Sequence, residues 1–255
     1  MSKNTKIEKN IEEEEKYIPD VDISIDDFDY FNQEIFNEIN FARQSPEEYV
    51  LKIEDILNTI ESKKENYLFL ENASFIYSDL HGSLLDTIKF LKSQKKLPAL
   101  KFHQSIYDSC EHLLFDYVNN PNFNNNNNTF QNRIKQYGQT YGENYEIINY
   151  DMFDPEFIVI NLILGDGDRN KFERNVLFNP NLKYIGISSG VIPPNRFCTI
   201  INCCEEFFDI YEKIPTEIQN KYKSKKNSYN SKTIISKKSK DYINEIPENK
   251  WQNQK

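Results

Sequence analysis

Residues 183–207, KYIGISSGVIPPNRFCTIINCCEEF, form a strand-rich stretch of the sequence. Two runs of β-branched and aromatic residues flank Pro193, Pro194 and Asn195, a pattern typical of a hairpin with a short turn. The segment ENYEII at 143–148 predicts another strand. Because mainly helical patterns precede these strands, the order of elements favours an α+β domain.

Helical periodicity dominates the first half of the chain. Apolar residues at 35–42 recur on one helical face, and further apolar faces lie at 84–91 and 106–117. The segment 45–48 predicts a helix start, with a serine N-cap, a proline at the first position and a glutamate three residues after the cap. Asp and Pro at 154–155 open a helix that is apolar nearly all round, so we expect it to be buried.

Charge is distributed unevenly over the 255 residues, which carry a formal net charge of −9. Residues 1–30 carry −6 and residues 221–255 carry +7, which leaves −10 for the middle. This pattern predicts a disordered acidic tail at 1–30, a domain at 31–210 and a disordered lysine-rich tail at 211–255. An alternative interpretation is that the basic segment 221–240 contacts an anionic membrane surface or an acidic protein.

Several classes of function are disfavoured by composition. The acidic middle would repel phosphates, so we expect no nucleic-acid partner. The N-terminal residues contain no hydrophobic stretch and no apolar run approaches the roughly 20 residues of a membrane span, which predicts a cytoplasmic protein without a transmembrane segment. The four cysteines show no C-x-x-C or C-x-x-H spacing, so a structural zinc site is not expected.

The cysteines and histidines of the sequence give no catalytic candidate. Cys110 occupies an apolar helix position, and Cys203 and Cys204 should face opposite sides of a strand. Packing is the favoured role for these thiols, with a redox or palmitoylation role of the Cys203–Cys204 pair as the alternative. The three histidines are assigned no catalytic role: His81, His103 and His112.

Five segments, in this order, resemble the CAP superfamily, which contains cysteine-rich secretory proteins, antigen 5 and pathogenesis-related proteins, and are most similar to its SCP-like branch. The family's motifs N-x-x-R-x-x-P (40–46), L-P-x-L (97–100) and G-E-N (142–144) occur in them, and Arg43, Arg133 and Arg174 occupy arginine positions of the family's motifs. The segments are IFNEINFARQSPEEYV (35–50), LLDTIKFLKSQKKLPALKFHQSI (84–106), RIKQYG (133–138), YGENY (141–145) and NLILGDGDRNKFERNVLFNPNLKYIGI (161–187).

This resemblance implies a three-layer α-β-α sandwich with a central antiparallel sheet and a broad cleft. In the family, the cleft holds two histidines and two acids, which bind a divalent metal in some members. The positions of that tetrad fall on Asn122, Glu143, Gly165 and Glu173 in this sequence, so three of the four have lost the family's side chain. Asn144, Asp166 and Arg174 are expected to lie beside the cleft.

The degenerate tetrad predicts a non-catalytic binding or interaction module without a metal or other cofactor. Its ligand would be a lipid or sterol, a peptide or a protein partner, as the resemblance implies. One alternative is a hydrolase that uses Glu143 and Glu173 as a carboxylate pair. Against it stands a structural interpretation, in which Glu143 bonds nearby backbone and Glu173 is a surface acid paired with Arg174 or Lys171. Another alternative is a membrane-peripheral protein bound through its basic C-terminal tail.

Overall fold

The computed structural model describes residues 25–63, 67–70, 73–76, 79–120, 129–223 and 232–235. Asn122 and the asparagine run 124–128 lie outside the described residues, and so does most of the lysine-rich segment.

The helices and strands follow the predicted order. The helices are α1 (Ile25–Gln44), α2 (Pro46–Lys63), α3 (Leu80–Ser93), α4 (Gln104–Asn119), α5 (Phe130–Ile134), α6 (Pro155–Leu164), α7 (Phe172–Leu177) and α8 (Thr216–Lys223). The strands are β1 (Tyr67–Leu70), β2 (Ala73–Ile76), β3 (Lys101–Phe102), β4 (Gly138–Tyr150), β5 (Tyr184–Ile192), β6 (Arg196–Asp209) and β7 (Lys232–Ile235). The predicted helix starts at Pro46 and Pro155, the strand at 143–148 and the hairpin at 183–207 are confirmed.

Short polar side chains fix the starts of two helices. The Asp79 carboxylate accepts a hydrogen bond from the Gly82 amide at 2.9 Å and caps α3. The Asp154 carboxylate accepts from the Phe157 amide at 3.0 Å and caps α6, whose residues 158–164 are all buried as expected. These caps satisfy amides that have no partner within the helix.

The main sheet has the strand order β3-β5-β6-β4-β7. Its centre is antiparallel, as predicted, because β5 and β6 form a hairpin and β6 returns beside β4. Its edges differ from the prediction: β3 pairs with β5 in parallel, and β7 pairs with β4 in parallel. Each parallel pair joins strands that are distant in the chain, which the sequence pattern of one strand cannot reveal. The fold is therefore mixed α and β with a mixed sheet.

Helices pack on both faces of this sheet. Cys203 belongs to a core with Ile147 and residues of α1, α2, α3 and α6, whereas the adjacent Cys204 packs with Ile106 of α4 and Phe130 of α5. The two thiols thus face opposite sides of β6, as the strand period requires. All four cysteines are buried and free, and burial raises the pKa of the Cys203 thiol to about 12.

The described elements reach into both predicted tails. Helix α1 begins at Ile25, inside the segment 1–30, and α8 and β7 lie inside 211–255. Regular elements therefore extend beyond the predicted boundaries at 30/31 and 210/211. Composition predicts tails there because charged and polar residues dominate both segments.

A buried arginine connects α1 to two loops. Arg43 is 1% exposed, and its guanidinium donates to the carbonyls of Pro98 at 3.2 Å, Leu177 at 2.5 Å and Asn179 at 3.1 Å. The Arg43 carbonyl in turn accepts from the Leu97 amide at 2.9 Å. The arginine of the N-x-x-R-x-x-P segment therefore fixes both the L-P-x-L segment and the end of α7.

The asparagine of the same segment has a matching role. The Asn40 side chain accepts from the Leu100 amide at 2.8 Å and donates to the Leu100 carbonyl at 3.2 Å. Residues 94–100 form no regular element, yet two side chains of α1 satisfy their backbone.

A buried ion pair joins α5 to the sheet. The Arg133 guanidinium contacts the Glu146 carboxylate of β4, and both side chains are fully buried. Arg133 Nε also donates to the Ser109 carbonyl of α4 at 3.2 Å. The buried guanidinium and carboxylate compensate each other's charge, because either group alone would be an uncompensated charge in the interior.

We expect Arg133→Met to lower the free energy of unfolding by about 3–5 kcal/mol, since it leaves the Glu146 carboxylate buried without its cation. Denaturant unfolding measures the loss. The matched control is Arg169→Met at an exposed position, which should stay within about 0.5 kcal/mol of the wild type. A loss below about 1 kcal/mol for Arg133→Met, the range of surface pairs, would contradict the role of this ion pair.

Candidate functional site

The G-E-N element forms an irregularity in β4. The register between β4 and β6 shifts between Tyr141 and Asn144, and Gly142 has a φ of 77°. A Cβ at this position would overlap the Glu205 carboxylate of β6. Glycine is therefore favoured at position 142 for two reasons, the backbone conformation and the close approach of a carboxylate.

Glu143 is half-buried and anchors a loop. Its Oε2 accepts from the Asn179 side-chain amide at 2.6 Å and is 3.4 Å from the Asn181 amide nitrogen. Asn179 is the residue whose carbonyl also accepts from Arg43. The partners of the Glu143 carboxylate are therefore side-chain amides of the α7–β5 loop, whereas the structural interpretation expected backbone groups.

Glu205 lies next to Glu143 and has stronger partners. Its carboxylate accepts from the Tyr222 hydroxyl at 2.5 Å and from the Lys221 ammonium at 3.3 Å, and the Glu143 backbone amide donates to it at 3.3 Å. Burial on its own raises the pKa of the Glu205 carboxyl. The hydrogen bonds that the carboxylate accepts outweigh this effect and hold the pKa below its usual value.

The tetrad position at Gly165 serves as a helix end. Gly165 is the left-handed C-cap of α6, with a φ of 51°. The Lys171 ammonium donates to the carbonyls of Gly165 at 3.0 Å and Leu164 at 3.2 Å. A cation at the C-terminus of a helix satisfies free carbonyls and interacts favourably with the helix dipole.

Asp166 is almost fully buried at 3% exposure. Its Oδ1 accepts from the Asp79 backbone amide at 3.1 Å and from the Ser83 hydroxyl at 2.9 Å. These bonds attach the α6–α7 loop to the start of α3.

Arg174 connects α7 to α3 and α6. Its guanidinium donates to the Ile163 carbonyl at 2.5 Å, to the Asp86 carboxylate at 2.8 Å and to the Thr87 hydroxyl at 2.8 Å. The guanidinium carbon also lies 4.9 Å from the centre of the Phe90 ring, within the range of a cation–π contact. Arg174 therefore holds three helices together.

Glu173 is not a surface acid. It is 9% exposed, so the interpretation of an exposed carboxylate is wrong. Helical periodicity could not reveal the burial of Glu173, because α7 has only six residues. Its neighbour Phe172 packs against Tyr145 with ring centres 6.2 Å apart.

Tyr145 joins the two groups of residues. It follows Glu143 by two positions on β4, its side chain bonds Asn179, and its ring contacts Phe172 of α7. Tyr145 therefore connects the part of β4 that carries Glu143 with the first residue of α7. Within the described ranges, no group of three or more His, Cys, Asp or Glu side chains is arranged to hold a metal ion.

Asn144 faces away from this region. It pairs with Cys204 across β4 and β6, so it lies on the sheet face that packs against α4 and α5. Adjacent residues of a strand point to opposite faces, which separates Asn144 from Tyr145. The prediction that Asn144 lies beside the cleft is wrong.

Sequence patterns did not single out Asn179, Asn181, Glu205 and Tyr222. A signal existed for Glu205, which with Glu206 interrupts a strand whose residues are mostly apolar. An acid in such a strand needs a partner when it is buried. Its partner Tyr222 lies in a segment that composition assigned to a tail.

Comparison with known proteins does not identify a family. No family model matches the chain, and no curated protein matches it. An outer surface protein from Borrelia burgdorferi is structurally similar at 14% identity and a TM-score of 0.37, over 51% of this chain and 97% of that protein. A TM-score this low supports no conclusion about fold or function, so the CAP resemblance stays a prediction. No helix in the described part of the chain is long and apolar enough to cross a membrane.

We expect Tyr222→Phe to lower the free energy of unfolding by about 1 kcal/mol at pH 7, because the Glu205 carboxylate loses its closest donor. A lowered pKa in the folded state adds stability above the unfolded pKa of about 4.3, and this stability is lost as the pH falls through the folded pKa. The variant should therefore differ from the wild type at neutral pH and converge with it in acid.

Denaturant unfolding between pH 3 and 7 measures this difference. Tyr211→Phe is the control, since the Tyr211 side chain is 97% exposed and should show no effect at any pH. A loss for Tyr222→Phe that is the same at acidic and neutral pH would contradict the charge-dependent bond.

Proposed function

We propose that the chain is a non-catalytic binding module of the CAP/SCP-like type. Helices on both faces of the sheet support a three-layer α-β-α arrangement, and the order of the five resembling segments supports the family. The protein would act by holding a ligand in a preformed groove, with no reacting side chain.

One observation carries the non-catalytic part of the proposal. The Glu143 carboxylate, at the family's acid position, is committed to the Asn179 and Asn181 amides. A carboxylate that holds a loop in this way is poorly placed to transfer protons. The motif arginines Arg43 and Arg174 are likewise used to connect segments.

A groove between α1 and α4 is the proposed binding surface. It encloses about 260 Å³ and is lined by Asn32, Gln33, Phe36, Phe102, Gln104, Tyr107 and Ile187. Apolar and aromatic walls with a few polar groups are typical of small-ligand sites, although this volume is near their lower limit of about 300 Å³.

Asn32 is the groove residue with a buried polar atom that lacks a hydrogen-bond partner. Its side chain is 7% exposed, and Oδ1 is buried without a hydrogen-bond partner. A buried acceptor favours a ligand that brings an O–H or N–H donor together with apolar surface. We therefore propose an amphipathic ligand, such as the hydroxyl-bearing end of a lipid.

A fluorescent fatty alcohol and its methyl ether test this function with the full-length protein. The alcohol should bind, and the ether, which lacks the donor, should bind about tenfold more weakly, the effect of roughly one hydrogen bond. Gln33→Trp should fill the groove and weaken binding of the alcohol at least about tenfold. The matched control is Gln44→Trp, the same change about three turns further along α1 at an exposed position outside the groove lining, which should leave binding unchanged.

Two outcomes would contradict the proposal. One is that neither probe binds, or that Gln33→Trp and Gln44→Trp behave alike. The other is turnover of peptide or ester substrates that Glu143→Gln abolishes, which would instead favour the hydrolase that uses Glu143 and Glu173.

A further inference from the structure

Four buried polar side chains meet on the sheet face that packs against α4 and α5. This core polar cluster consists of Ser109 of α4, Arg133 of α5, Glu146 of β4 and Asn202 of β6, and each of the four is at most 1% exposed. None of them belongs to the groove or to the region around Glu143. A cluster of this polarity in a core is costly unless its members are hydrogen-bonded.

The strand register brings these residues together. Glu146 and Asn202 are direct partners across β4 and β6, which places their Cβ atoms about 5 Å apart on one face. The Arg133 guanidinium contacts Glu146 Oε2, and Arg133 Nε donates to the Ser109 carbonyl at 3.2 Å. The cluster is therefore contiguous from α4 through α5 to the centre of the sheet.

Four side-chain atoms of this cluster have no hydrogen-bond partner in the described structure. They are Glu146 Oε1, Ser109 Oγ, and both Nδ2 and Oδ1 of Asn202. Most buried polar side-chain atoms in proteins are paired, because an unpaired one keeps the full cost of its desolvation. Four of them in one contiguous cluster indicate a shared partner.

The neighbouring strand does not supply that partner. Asn202 has Gly186 of β5 on its other side, which contributes no side chain. The α4 backbone at Ile106 and Tyr107 lies directly against Gly186, and the Cys110 thiol is directed to the Gly186 carbonyl at 3.4 Å. A small molecule that both donates and accepts hydrogen bonds would satisfy all four atoms.

We propose that the core polar cluster is an internal water-binding site that holds at least one long-lived water molecule. The water donates to Glu146 Oε1 and Asn202 Oδ1 and accepts from the Ser109 hydroxyl or from Asn202 Nδ2. Internal waters in proteins make about three such bonds, and the sites that hold them are polar. Its role is to connect α4 to β4 and β6 and to solvate the part of the Glu146 carboxylate that Arg133 does not reach.

Oxygen-17 relaxation dispersion of water tests the site, because it counts internal waters that stay bound long enough to tumble with the protein. Asn202→Leu keeps the number and branching of the side-chain heavy atoms and replaces both polar amide atoms by methyl groups, so this variant should lose about one long-lived water relative to the wild type. Ser109→Ala removes a single hydroxyl, so this variant should shorten the residence time of the same water or lose it. The matched control is Thr199→Val on the same strand, whose hydroxyl is already paired directly with Ser189 at 2.9 Å and which should retain the wild-type count.

The wild-type protein provides the deciding measurement if the variants fold poorly. A high-resolution crystal structure should show a water within hydrogen-bond distance of Glu146 Oε1 and the Asn202 side chain. A direct bond between the Asn202 amide and Glu146 Oε1 with no water between them would overturn the proposal. An unchanged count of long-lived waters in a folded Asn202→Leu variant would overturn it as well.

Discussion

The burial of guanidinium groups is the constraint on which the rest of this structure depends. Arg43, Arg133 and Arg174 are each at most 3% exposed, and an arginine cannot escape the cost by losing its proton. Each guanidinium must therefore find several acceptors in the interior. Those acceptors lie on segments far apart in the chain, so satisfying three cations also fixes how α1, α3, α4, α6 and α7 meet the sheet and its loops.

The same constraint explains why residues at motif positions of the resembling segments have structural roles in this chain. Glu143 binds the loop whose carbonyls accept from Arg43, so the acid of G-E-N and the arginine of N-x-x-R stabilise one loop from two sides. Gly165 ends a helix under the ammonium of Lys171. A loop that is held from two sides in this way is rigid. A rigid framework would suit the proposed binding module, because little ordering is left when a ligand enters.

Local patterns predicted most elements and few of the partners. The apolar faces of α1 to α4, the proline at the start of α6 and the hairpin at 183–207 follow from periodicity and turn residues, which act within a few positions. The parallel edge strands, the burial of Glu173 and the bond between Glu205 and Tyr222 depend on residues distant in sequence. Asn144 shows the limit most clearly, since its neighbours in sequence lie in the candidate site and it faces the opposite core.

Hydrogen exchange of the Leu97 and Leu100 amides tests most directly whether contacts with α1 hold the irregular segment 94–100. Both amides lie outside helices and strands, and they donate to the Arg43 carbonyl and the Asn40 side chain. If these contacts are as stable as the core, both amides exchange only through global unfolding, as slowly as Ile201 in the central strand. Exchange roughly a hundredfold or more faster than at Ile201 would show local opening of the segment and contradict the account.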